Sequence, residues 1–166
     1  TTLQQPAMNV LLDPTMHALV QKGFASVYEQ VLFYDDATLA AADERTLVVT
    51  NDVEQLGGKQ PVLLIGRNDV ASEEVQLFAN SSNHALFNFS PLEDVYVQSL
   101  YPPFDGFQTI ATVGDAPFIQ LSERGDIVVL ADMQATDWPL HPSFPLFIWS
   151  TVQQLSNHST FLGTFS

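Results

Sequence analysis

Apolar residues in this chain fall in short unbroken runs separated by polar turns, the pattern of strands covered on both faces. Residues 9–12, 47–49, 62–65 and 127–131 are such runs. Asp13-Pro14 turns the first run into a helical stretch in which Met16, Leu19 and Val20 share one face, and Gly23 is the expected stop. Residues 27–34 read as a second strand and 37–42 as a short helix. After residue 127 the spacing changes: Phe144, Phe147, Ile148, Val152 and Leu155 recur at helical intervals. Pro142 and Pro145 fit if that helix starts there, because the first helical turn leaves N–H groups unpaired that proline lacks. Strands alternating with helices predict a mainly parallel sheet.

Between these units, residues 95–98, 109–113 and 118–121 mix apolar and polar positions, with turns at Gly114-Asp115 and Arg124-Gly125-Asp126. They predict an antiparallel meander at one edge of the parallel sheet, feeding the strand at Ile127. Tyr101-Pro102-Pro103-Phe104-Asp105-Gly106 reads as a stiff aromatic loop. The expected organisation is one α/β domain over 1–166, with an ordered core at about 7–156 and a tail or linker at 157–166.

Composition narrows the function classes. A net charge of -14 arises from an ordinary 19 acidic residues set against only five basic ones. A chain so poor in cations has little with which to hold a phosphate backbone or an anionic membrane, so nucleic-acid partners are not expected. With no cysteine there is no disulfide, thiolate nucleophile or thiolate metal site. Neither a dinucleotide-binding turn nor a Walker loop is present, no histidines stand at zinc-ligand spacing, and no cofactor or resident metal is expected.

The stretch Asp137-Trp138-Pro139-Leu140-His141-Pro142-Ser143-Phe144-Pro145, after a strand and an acidic turn and before a helix, resembles the extracytoplasmic domain of bacterial membrane proteins of the BatA and von Willebrand factor A group. There the pattern Asp-x-Pro-Leu-x-Pro-x-Phe-Pro occupies this place, and the opening Asn9-Val10-Leu11-Leu12 is similar to the strand that begins the domain. The resemblance implies a flavodoxin-like sheet of the class I glutamine amidotransferase type. It also implies a place on the extracytoplasmic face of the bacterial cell membrane, as part of a membrane-anchored protein that contacts a protein partner or a ligand.

Amidotransferases carry a cysteine on a strand-to-helix elbow and a later His-Pro-Glu. Here Gly66-Arg67-Asn68-Asp69 stands in the expected elbow region, and Ser143 follows His141-Pro142 where the glutamate should be. Residue type alone therefore excludes glutaminase chemistry, and a non-catalytic role is expected.

Open α/β sheets bind ligands beyond the carboxyl ends of their strands. Those ends carry Asp13 and Thr15, Asn51 and Asp52, Asn68 with Asp69, and Asp132, to which Asp137 and His141 are added as candidate ligand-binding residues. Such residues equally cap helices and shape turns. Asp13, Asp52 and Asp132 converging on a hard divalent cation would make an adhesion module. A hydrolase would need His141, a nearby carboxylate such as Asp137, and a hydroxyl from a residue such as Ser81 or Ser82, near His84. His17 and His84 are expected at the surface or as helix caps, and His158 in the tail.

Overall fold

The computed structural model describes residues 9–29, 31–80 and 84–164, the last nine by backbone alone. Its centre is a seven-stranded sheet in which the apolar runs become buried strands. These are β1 (Asn9–Leu12), β2 (Val31–Phe33), β3 (Thr46–Thr50), β4 (Val62–Ile65), β7 (Gln108–Val113), β8 (Ala116–Leu121) and β9 (Ile127–Val129), in the order β2-β1-β3-β4-β9-β8-β7. The first five strands of that order are mutually parallel, while β8 runs antiparallel to β9 and β7 antiparallel to β8. Every residue of β3, β4 and β9 is buried. Such strands need no alternation, because both their faces meet protein.

The antiparallel extension is present, but its membership differs from expectation. Residues 95–98 are not part of it. They belong to β6 (Tyr96–Leu100), which pairs antiparallel with β5 (Glu73–Phe78) in a separate two-stranded sheet. β5 is largely exposed, so it lacks the apolar run by which the other strands are recognised.

Helix α1 (Ala18–Val27) begins after Met16 and runs through Gly23, which does not stop it. A Cβ at Gly23 would lie 2.9 Å from the Phe144 ring and 3.0 Å from Ile148 Cδ1, so glycine is there to let two helices approach. Val27 closes that helix, which delays β2 to Val31 and corrects the expected strand at 27–34. Helix α2 (Asp36–Ala41) is capped by a reciprocal Asp35–Thr38 pair and buries none of its residues. Instead of a helix, β3 and β4 are joined by a 3₁₀ turn, Val53–Gly57.

Helix α3 (Ser143–Thr164) starts where the prolines predict and continues to Thr164, through residues read from sequence as a tail or linker. Phe144, Phe147, Ile148, Val152 and Leu155 are all buried, as their spacing requires. Trp138, in a 3₁₀ turn just before α3, is fully buried, with its ring 5.3 Å from Phe118, 5.0 Å from Phe144 and 4.7 Å from Phe147. No helix among the described residues is long and apolar enough to cross a membrane.

Candidate functional site

The carboxyl ends of β1, β3, β4 and β9 meet above the sheet. β1 leads to β2 on one side and β3 leads to β4 on the other, so the connections from these two neighbouring strands leave in opposite directions and open a crevice between them. A cleft of about 100 Å³ occupies this position, lined by Thr15, His17, Asn51, Gly66, Tyr101, Asp132 and neighbours. The volume equals roughly three waters in the liquid, which suits a small polar group and not a nucleotide.

Asp13 stands at the base of this crest and is 7% exposed. Its Oδ1 accepts from the Thr15 N–H at 2.8 Å and the Thr15 hydroxyl at 2.7 Å, and its Oδ2 from the Tyr34 hydroxyl at 3.1 Å and the Thr50 hydroxyl at 3.2 Å. Four hydrogen bonds use the acceptor capacity of both oxygens. The carboxylate therefore ties the ends of β1, β2 and β3 together instead of facing a ligand.

Burial pushes the Tyr34 hydroxyl up to about 12 from an ordinary 10.0, and the nearby Asp13 carboxylate adds to the shift. A group that holds its proton more tightly when folded stabilises the fold below its unfolded pKa, and that contribution is lost as pH rises through the folded value. The melting midpoint is accordingly expected to fall between about pH 10 and pH 12. Tyr34→Phe should flatten that fall; a variant profile as steep as the parent's would contradict the assignment.

Asp52 and Asn68 form a second structural knot. Asp52 accepts from the Glu54 N–H, the Gln55 side-chain amide and the Asn68 side-chain amide, which caps the 3₁₀ turn. Asn68 also accepts from the Val53 N–H through Oδ1 and donates its own N–H to the Asn51 carbonyl. Asp132 accepts from the Gln134 N–H at 3.0 Å and the Ser72 hydroxyl at 3.3 Å. Asp13, Asp52 and Asp132 do not converge, and no three His, Cys, Asp or Glu side chains among the described residues are grouped to hold a metal ion.

Gly66, Tyr101 and His17 join the crest beside the residues expected there, and Tyr101 comes to it from a distance. Gly66 ends β4 with φ +86°, and a side chain there would meet the Tyr101 ring at 3.4 Å. Tyr101 is carried over the crest by its own N–H, which donates to the Leu130 carbonyl at 2.7 Å. Desolvation raises the pKa of the Tyr101 hydroxyl, with the Asp132 charge acting in the same direction. His17 caps α1, its Nδ1 accepting from the Leu19 N–H at 3.1 Å, so the neutral ring carries its proton on Nε2. His84 does the same for the turn at Leu86.

Asp137 and His141 do not line the cleft. They form an i,i+4 pair at 3.2 Å ahead of α3, and Asp137 Oδ1 also accepts from the Tyr96 N–H, pinning β6 to the turn. No hydroxyl among the described residues hydrogen-bonds the His141 ring, and the nearby Ser143 hydroxyl accepts from the Trp138 indole N–H at 3.2 Å. Ser81 and Ser82 lie outside the described residues, as does the side chain of His158.

Two of the five basic residues are also committed to structure. Arg67 forks onto Asp69 at 2.9 and 2.7 Å, donates to the Pro102 carbonyl and lies 4.0 Å from the centre of the Phe104 ring. Arg124 pairs with the buried Asp126 at 2.6 Å and donates to the carbonyls of Gly58 and Gln60. Asp126 in turn accepts from the Val62 N–H, fastening β4 to β9 at their amino ends. A larger, open cleft of about 430 Å³ lies beside this clamp, against Phe107, Ser122 and Asp126. None of the sequence-predicted site residues lines it. Comparison of the chain with protein-family models and with curated proteins finds no match.

Proposed function

We propose that this chain is a non-catalytic recognition domain of a membrane-anchored bacterial protein, carried on the extracytoplasmic side, whose strand-end cleft receives a small polar ligand or the tip of a partner's side chain. The strand order supports a flavodoxin-like reading: β2-β1-β3-β4-β9 is the order 2-1-3-4-5 of that fold, with a hairpin and two antiparallel strands added before the fifth parallel strand. The sequence resemblance supports the cellular setting. One observation carries the recognition role: the crest groups best suited to chemistry, the Asp13 carboxylate and the Thr15 hydroxyl, are hydrogen-bonded to each other and to the fold. The cleft offers instead the side chains of His17, Asn51, Tyr101 and Asp132.

The test is a titration followed by amide resonances, using glycine, glutamine, malonate, inorganic phosphate, glucose and calcium ion as probes. Binding should move the amides of Asn51, Gly66 and Tyr101 and weaken several-fold in Asn51→Ala. Resonances at the crest that stay fixed for every probe would overturn the cleft as a ligand site. Turnover of a small ester or amide that vanishes in His141→Ala would replace the reading with a hydrolase. A rise in melting midpoint with calcium alone would replace it with the adhesion module.

A further inference from the structure

The other end of the parallel sheet is open in a way the cleft does not explain. β2 is its outermost strand, and no described strand pairs with its outer edge. Its register with β1 fixes which backbone groups point outward. Leu12 pairs with Phe33, and the Tyr34 N–H donates to the Leu12 carbonyl, so Leu32 and Tyr34 present their backbone groups to β1. By alternation, the N–H and C=O groups of Val31 and Phe33 face away from the sheet.

Side chains there are uncovered as well. Leu32 is 61% exposed and Phe33 is 53% exposed. Successive strand residues point to opposite faces, so each face of the sheet carries one exposed apolar side chain at this edge, beside the partly buried Val31 and Tyr34. The following helix α2, which in an α/β sheet would roof one face, has no fully buried residue and meets the core only through the half-buried Leu39. Natural proteins shorten or charge such edges to prevent unwanted pairing, and β2 is short and bounded by acids. Glu29 precedes it, and Asp35 and Asp36 follow Tyr34, all three exposed. No ion pair formed among the described residues neutralises them.

Those acids select the occupant. A second copy pairing antiparallel about Leu32, the register that engages both outward-facing residues, would set Glu29 of each chain against Asp35 of the other. Two chains of net charge -14 would meet with like charges in register. An incoming strand with cations at its ends would have them opposite the same acids.

We propose that the outer edge of β2 is the docking site for an extended segment of a partner protein, apolar in its middle and flanked by Lys or Arg, which adds to the sheet as a further strand. Backbone hydrogen bonds to Val31 and Phe33 supply the register, Leu32 and Phe33 give apolar contact on either face, and the flanking charges supply selectivity and speed of encounter.

The probe is a synthetic peptide of alternating valine and threonine with paired lysines at both ends, compared with the same peptide ended by glutamates. The lysine-ended peptide should shift the amides of Val31 and Phe33, and its affinity should drop as salt rises. Glu29→Lys combined with Asp36→Lys, both on the surface, should weaken it on the order of tenfold or more while leaving the melting midpoint unchanged. Phe33→Pro removes an outward N–H without touching the ladder to β1 and should abolish binding. Unmoved Val31 and Phe33 amides at saturating solubility of the peptide, equal binding of the glutamate-ended peptide, or self-association of the protein through β2 would each overturn the proposal. Ligand probes of the cleft report on different amides, so this test stands whatever their outcome.

Discussion

Replacing Trp138 with alanine is expected to cost about 3–5 kcal/mol of folding stability, the range for emptying a buried aromatic site. The side chain is fully enclosed, its ring lies against Phe118, Phe144 and Phe147, and its N–H reaches Ser143. It joins the antiparallel extension, through Phe118, to helix α3, so no single neighbour can move in to fill the hole. Domains of this size are held by about 5–15 kcal/mol in total, and the variant should lose a large share of that. Urea unfolding is the measurement, with Trp138→Phe as the milder companion. A drop below about 1 kcal/mol in the alanine variant would mean that the ring is not buried as described.

Asp13→Ala should also destabilise, by about 2–4 kcal/mol, for a different reason. The substitution leaves the fully buried Thr50 hydroxyl and the Tyr34 hydroxyl without their carboxylate, and it frees the Thr15 N–H at the turn out of β1. Tyr34 and Thr50 can still bond each other at 2.8 Å, which limits the loss. A thermodynamic cycle with Tyr34→Phe separates the two roles open to Asp13. If the carboxylate is a structural tie, the second substitution costs less in the Asp13→Ala background than alone. Stability within about 0.5 kcal/mol of the parent, with loss of a cleft ligand, would make Asp13 a binding residue.

The parts of the fold that sequence makes visible are those whose environment is uniform. Residues of β3, β4 and β9 are buried on both faces, so the apolar run alone announces them. Helix α3 is equally plain, because one stripe of it meets the core and prolines mark its start. β5 is invisible for the opposite reason: Glu73, Glu74 and Gln76 stand in a strand that meets little of the core, with a bulge around Gln76 at φ 50°. Gly23 misleads because its meaning lies in a partner far along the chain, where local punctuation and close packing use the same residue.

The candidate site divides the same way. Asp13, Thr15, Asn51 and Asp132 are legible because topology alone places strand ends on the crest, and Thr15, Asn51 and Asp132 do line the cleft. Sequence cannot say that Asp13 is consumed by the fold, since that depends on Tyr34 and Thr50 arriving from two other strands. Nor can it bring Tyr101 over Gly66, which requires the aromatic loop to fold back on Leu130. Asp137 and His141 suit the crest by their chemistry and belong instead to the turn that pins β6.

The contact of Gly23 with Phe144 and Ile148 joins the first helix to the last. While the protein is being made, the ribosome must complete almost the whole domain before the surface of the first helix at Gly23 can meet Phe144 and Ile148. A nascent chain halted before Ser143 would therefore carry a first helix that lacks its closing partner, and holding chaperones should recognise that arrested form and release it once the final helix emerges.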